Sequence, residues 1–160
     1  MKLLITFLLA ANLFSYIIVL QPTEHMLTAS EDVNAAKALD VGRAYLAGIS
    51  LGTLDSLDEL FVLGDKSSVY ENGSNEGTWL HYKEHHLAPE QEAAPNLQFT
   101  VKAESTEAVG DGFLVKVVGS FSVEFGEEAR TYRAAVSFLL IPANDELKIL
   151  HLHWSSKQIK

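Results

Sequence analysis

Beyond Pro95 the apolar residues fall into a period of two, and that change limits the fold more than any other feature of the 160 residues. In "LQFTVKAE", Leu97, Phe99, Val101 and Ala103 take one face while Gln98, Thr100, Lys102 and Glu104 take the other. "FLVKVVGSFSVEF" aligns Phe113, Val115, Val117, Phe121, Val123 and Phe125, and "ARTYRAAVSFLLI" aligns Tyr132, Ala134, Val136, Phe138 and Leu140. Side chains two apart on a strand share a face, so each run predicts a strand with one buried side. "KILHLHWSSK" supplies a fourth, and the short connections around Gly110, Gly126 and Asn144 predict antiparallel neighbours.

The first half of the chain has helical spacing instead. Thr28 and Glu31 stand at capping-box spacing, and Val33, Ala36, Leu39, Ala44, Leu46, Ala47 and Ile49 continue one helix to near Gly52. Asp55 caps a second helix, "SLDELFVL", which stops at Gly64. "SSVYENG" predicts a short strand entering a turn at Asn72-Gly73. "SNEGTWLHYKEHHLAPE" predicts a third helix, capped near Asn75 and closing before Pro89. The fold class is therefore α+β, with three N-terminal helices packed on one face of a curved antiparallel sheet. A sheet curved around a long helix leaves a conical space, which is where a pocket forms.

Composition narrows what such a domain can do. Twelve Lys and Arg against 21 Asp and Glu give a net charge of −9. The basic residues are scattered, so the clustered positive charge that nucleic acid needs is missing. There is no cysteine, which removes disulfides, thiolate zinc sites and a cysteine nucleophile. From Leu3 to Leu20 the chain carries no charge; Lys2 precedes this run and the next basic residue is Lys37. That pattern reads as an export segment, either a cleaved signal peptide or an uncleaved anchor just long enough to span a bilayer. The expected division is residues 1–28 as that segment with its linker and residues 29–160 as one domain, periplasmic or extracellular. Membrane contact is expected only through the segment, if it is retained.

Several residues stand out as candidates for a site. Ile149, His151, His153 and Ser155 share one face of the last strand, and Leu150, Leu152 and Trp154 share the other. Both faces hold apolar residues, so alternation alone leaves the inner one open. On the third helix Trp79, Tyr82 and His86 form one stripe, explained for the first two by core packing; a buried His86 needs a partner. His81 and His85 form a second stripe that grips a metal only if further ligands converge. Tyr70 and Glu71 end the short strand, where Glu71 either orients His86 or faces water. Arg133 lies on the opposite face from Tyr132, as a surface ion pair or as a selector of acidic ligands. Glu104 and Glu124 read as outward.

The order of elements, with "GTWLHYKEHHL" at 77–87 and "ILHLHWSS" at 149–156, resembles the nuclear transport factor 2-like superfamily, with its ketosteroid isomerases and SnoaL-like polyketide cyclases. The resemblance runs from about residue 29 to residue 157. It implies a cone-shaped fold with one deep cavity between the third helix and the inner sheet face, often in a homodimer. It also implies that the histidine face of the last strand lines that cavity. Tyr70, Glu71, Trp79, Tyr82, His86, Arg133, His151 and His153 then form the expected ligand-binding set. The isomerases of this fold use a carboxylate base and the cyclases an acid with histidines, whereas this sequence offers histidines without an obvious inward acid. The expected function is accordingly an exported domain that binds a small molecule, with no cofactor or metal called for. The alternatives are an isomerase or cyclase with His86 or His153 as general base, and a histidine-rich metal module.

Overall fold

The computed structural model describes residues 29–95, 97–125 and 128–159. The apolar run, the linker and Thr28 lie outside them, as does the side chain of Glu31, so the expected export segment and capping box both fall outside the described residues.

Ala29–Leu51 forms a helix, α1, whose buried stripe is Ala38, Tyr45, Leu46 and Ile49. Val33, Ala36, Ala44 and Ala47, expected on that face, are exposed, because the helix turns its bulkiest side chain, Tyr45, inward. Gly42 lets α1 lie close on the sheet, since a Cβ there would stand 3.2 Å from Val115 and 3.4 Å from Phe138. A 3₁₀ helix, Leu54–Leu60, follows in place of the longer second helix. It stops because Phe61 turns extended and bridges to Ile149.

Ser68–Glu71 (β1) and Ser74–Gly77 (β2) form a hairpin around Asn72 and Gly73, both at positive φ. The expected helix start at Asn75 is therefore a strand; the cap is Thr78, whose hydroxyl accepts from the His81 amide at 3.3 Å. Trp79–Tyr82 (α2), a π-turn Lys83–Leu87 and Ala88–Ala93 (α3) follow without a break. Pro89 sits in the first turn of α3 and does not end the helix. The wider turn before it displaces the carbonyl a proline would strike.

Gln98–Val109 (β3), Gly112–Phe125 (β4), Glu128–Ala143 (β5) and Glu146–Gln158 (β6) complete a six-stranded sheet in the order β2-β1-β6-β5-β4-β3. The pairs are antiparallel except β1 with β6, so the sheet is mixed where an antiparallel one was expected. Val115, Val117, Val136, Phe138, Leu140, Ile149 and Leu152 are buried on its inner face against α1. Each such side chain contributes about 1.5–3 kcal/mol of burial.

Two bulges decide which residues face that core. On β3 the register shifts between Val101 and Ala103, leaving Lys102 as an extra residue. On β6 Leu139 pairs His151 while Leu140 pairs Ile149, leaving Leu150 extra. An extra residue reverses the alternation beyond it. Glu104, expected outward, therefore faces α1, where Arg43 Nε donates to it at 3.1 Å.

Candidate functional site

The inner sheet face, α1 and the rod from α2 to α3 enclose a cavity of about 300 Å³. Tyr45 and Ile49 reach it from α1, Glu71 from β1, and Tyr82, Leu87 and Glu90 from the rod. Phe121, Tyr132 and Trp154 form its sheet wall. Phe121 stacks on Tyr132 with ring centroids 4.9 Å apart, and Trp154 leans on Phe121 at 5.6 Å. Phe99 joins from β3, edge-on to Trp154 at 5.6 Å, its ring over Gly119, where a Cβ would stand 2.6 Å from it.

The polar end of the cavity is built around Glu71. Asn72, next in the chain, is clamped to β6: its amide donates to the Trp154 carbonyl at 2.9 Å, and its side-chain oxygen accepts from the Ser156 amide at 2.7 Å. That clamp fixes Glu71 beside Trp154, its pairing partner across the parallel ladder. The Tyr82 hydroxyl donates to Glu71 at 2.5 Å. His86, whose ring lies 5.1 Å from that of Tyr82, brings Nε2 to 3.4 Å from Glu71 and 3.2 Å from Glu90, with Nδ1 3.4 Å from Glu76.

Burial pushes the Glu71 carboxyl above its ordinary value against the Tyr82 hydrogen bond and the nearness of His86, and the negative charges of Glu90 and Glu76 push it up further. Burial also raises Tyr82, helped by Tyr45 and Glu71. Tyr45 is raised as well, by burial and then by Glu71, with a hydrogen bond to Tyr82 pulling the other way. Both phenols therefore stay protonated donors at neutral pH. Tyr45 is fully buried, and its hydroxyl has no hydrogen-bond partner of normal geometry among the described residues.

Of the expected ligand set, the structure brings Glu71, Tyr82 and His86 together and separates the rest. Trp79 is a core pillar: it stacks on Phe61 at 4.0 Å and donates from Nε1 to Asp58 at 2.8 Å. Lys83, which the sequence did not single out, ties the same rod to Asp58 at 2.8 Å and Asp55 at 3.1 Å. His151 and His153 do share a face, but the outer one, because the bulge at Leu150 hands the inner positions to Leu152, Trp154 and Ser156. His151 Nδ1 shares a hydrogen bond of 2.8 Å with Ser68, and Tyr70 tilts against its ring at 5.6 Å. Burial, and then His153, lower its pKa. Tyr70, His153 and Arg133 are exposed on that outer face, away from the cavity. His81 and His85 touch, with ring centroids 4.5 Å apart, on the exposed side of the rod. Among the described residues no three His, Asp or Glu side chains are grouped to hold a metal ion.

Sequence reasoning missed Tyr45, Glu90 and the Trp154 wall. Trp154 and Ser156 had a signal in their alternation with Leu152, which the bulge concealed.

No family model and no curated protein sequence matches the chain. Solved structures do. A proposed dehydratase of the nuclear transport factor 2-like family from Streptomyces avermitilis is 14% identical with a TM-score of 0.70, over 79% of this chain and 97% of its own. A proposed scytalone dehydratase from Novosphingobium aromaticivorans is 12% identical with a TM-score of 0.71, over 82% and 89%. A proposed ketosteroid isomerase from Shewanella frigidimarina is 22% identical with a TM-score of 0.62, over 74% and 94%. At such identities the likeness is one of fold.

Proposed function

We propose that this chain, which has the nuclear transport factor 2-like fold, takes one small, largely apolar molecule into its cavity and holds the molecule's polar end against Glu71, beside Tyr82. The observation that carries this reading is the cavity's two-part lining: the rings of Phe121, Tyr132 and Trp154 on the sheet side, and the hydrogen-bonded Tyr82–Glu71 pair at its polar end. The uncharged run from Leu3 to Leu20 supports placing this binding domain on the outer side of a membrane. Native mass spectrometry of protein purified from its own host tests the reading. A bound small molecule that is lost in Trp154→Ala and weakened in Glu71→Gln is the expected result; an empty protein whose melting temperature no small-molecule panel shifts overturns it.

Glu71 favours a second reading, proton transfer on the bound molecule. A buried carboxylate with raised pKa beside an imidazole and a phenol donor is an acid–base arrangement. Three structural neighbours are described as a proposed dehydratase, ketosteroid isomerase and polyketide cyclase. His153 plays no part in this reading, being on the far face. Deuterium uptake from heavy water by a cavity-bound ketone, abolished in Glu71→Gln, is its test.

A further inference from the structure

We infer that the cavity selects organic cations, a protonated amine or quaternary ammonium on an apolar body, over neutral or anionic molecules of the same shape. The inference rests on the reading that the cavity takes a ligand, and it names the charge of that ligand. Glu71 and Glu90 both line the cavity, Glu76 stands behind them against His86, and among the described residues no lysine or arginine lines it. Lys83, the nearest ammonium in the rod's sequence, is turned away to Asp55 and Asp58. His86 is thus set against three carboxylates, Glu71, Glu76 and Glu90.

The aromatic wall suits the same charge. Trp154 is the direct cross-strand partner of Glu71 in the parallel ladder, so indole and carboxylate stand one strand apart, about 4.8 Å, on the inner face. Phe121 and Tyr132 extend the wall from there. A cation placed against Glu71 meets ring faces on its other side, and an aromatic face attracts positive charge and repels negative. An anionic ligand would meet two carboxylates with no lysine or arginine among the described lining residues to answer it.

Isothermal titration calorimetry on the full chain at neutral pH, with three probes of one shape, tests this: 2-phenylethylamine, 2-phenylethanol and 3-phenylpropionate. The amine should bind about tenfold tighter than the alcohol, and the carboxylate should give no measurable heat. Glu90→Gln, at a residue whose side chain is largely exposed and which the fold therefore tolerates, should cut the amine's affinity more than the alcohol's and so narrow the gap between them. Glu71→Gln should remove the remainder. Equal binding of amine and alcohol, or a preference for the amine that survives both substitutions, overturns the inference while the binding reading stands. No heat from any of the three probes, together with no molecule bound to protein from its own host, overturns both.

Discussion

The two faces of β6 are made from one short stretch of chain and behave as two different materials. Leu152 and Trp154 are almost fully buried and belong to the continuous core, with Trp154 also walling the cavity. His151 and His153, at the positions between and beside them, face away from the helices, one half-buried against Ser68 and Tyr70 and the other exposed. What separates the faces is one backbone residue, Leu150, bulged out of the ladder with β5. A side chain's role on a long strand is therefore set by how many residues lie between it and the last bulge, as much as by its own chemistry.

Removing that residue is the most severe way to break the comparison. Deleting Leu150 restores simple alternation and forces either Ile149 or the Leu152–Trp154 pair out of the core. The loss should exceed about 4–5 kcal/mol, which is the range of a broken core, and urea denaturation should show no cooperative folding transition. Trp154→Ala keeps the register and empties the wall. It should cost about 3–5 kcal/mol, read as a lowered urea midpoint with little change in slope.

The same contrast explains how much of the molecule was legible in its sequence. On β4 and β5, which pair without a register shift, alternation placed Phe113, Val115, Val117, Phe121, Val123, Tyr132, Ala134, Val136, Phe138 and Leu140 on the inner face, where they are. On β3 the same reasoning held only as far as Lys102 and so put Glu104 outside, and on β6, with apolar residues on both faces and an extra residue at Leu150, it left the inner face open. Neither bulged residue is a glycine or a proline, so composition does not mark the site. Of the site itself, Glu71 and His86 were legible as a pair because an imidazole and a carboxylate near one cavity mouth need each other. Tyr45 was not legible: the helical spacing was read through Ala44, Leu46 and Ala47 and left it out, and only packing shows which face the large ring takes. Resemblance put the histidines on the inner face, and they lie on the outer one, since a shared architecture does not transmit a bulge.

Acidification should pull the two faces in opposite directions. Glu71, on the inner face, has its pKa raised above 4.5 by burial, so the folded state holds its proton more tightly than the unfolded chain. Its contribution to stability grows as the pH falls from above its folded value towards 4.5. His151, on the outer face, has its pKa lowered below 6.5 by burial and by His153. Its contribution is present above 6.5 and is lost as the pH falls through that value towards the folded one. Glu71→Gln should thus be more stable than the wild type at neutral pH, with the gap closing in acid. His151→Gln should flatten the decline that begins near 6.5. Melting temperatures across the acid range separate these effects, and a wild type and Glu71→Gln that track each other at every pH would mean that the buried carboxylate costs the fold nothing.

The smallest effects sharpen the comparison on the outer face alone. Ser68→Ala deletes the half-buried hydrogen bond to His151 Nδ1, 2.8 Å long, and should cost about 1 kcal/mol. His153→Ala should fall within about 0.5 kcal/mol of the wild type, because its side chain is exposed and gives the core nothing. The gap between these two neighbours matters more than either number, since both are histidine-face changes and differ only in the contact with β1. If His153→Ala instead cost as much as Trp154→Ala, the imidazole would have to be packed under the helices, and the inner and outer faces of β6 would be exchanged. A urea titration of His153→Ala beside Ser68→Ala decides it, with the amine-binding heats of His153→Ala as a second readout: a solvent-facing ring leaves those heats unchanged, and a ring in the cavity does not.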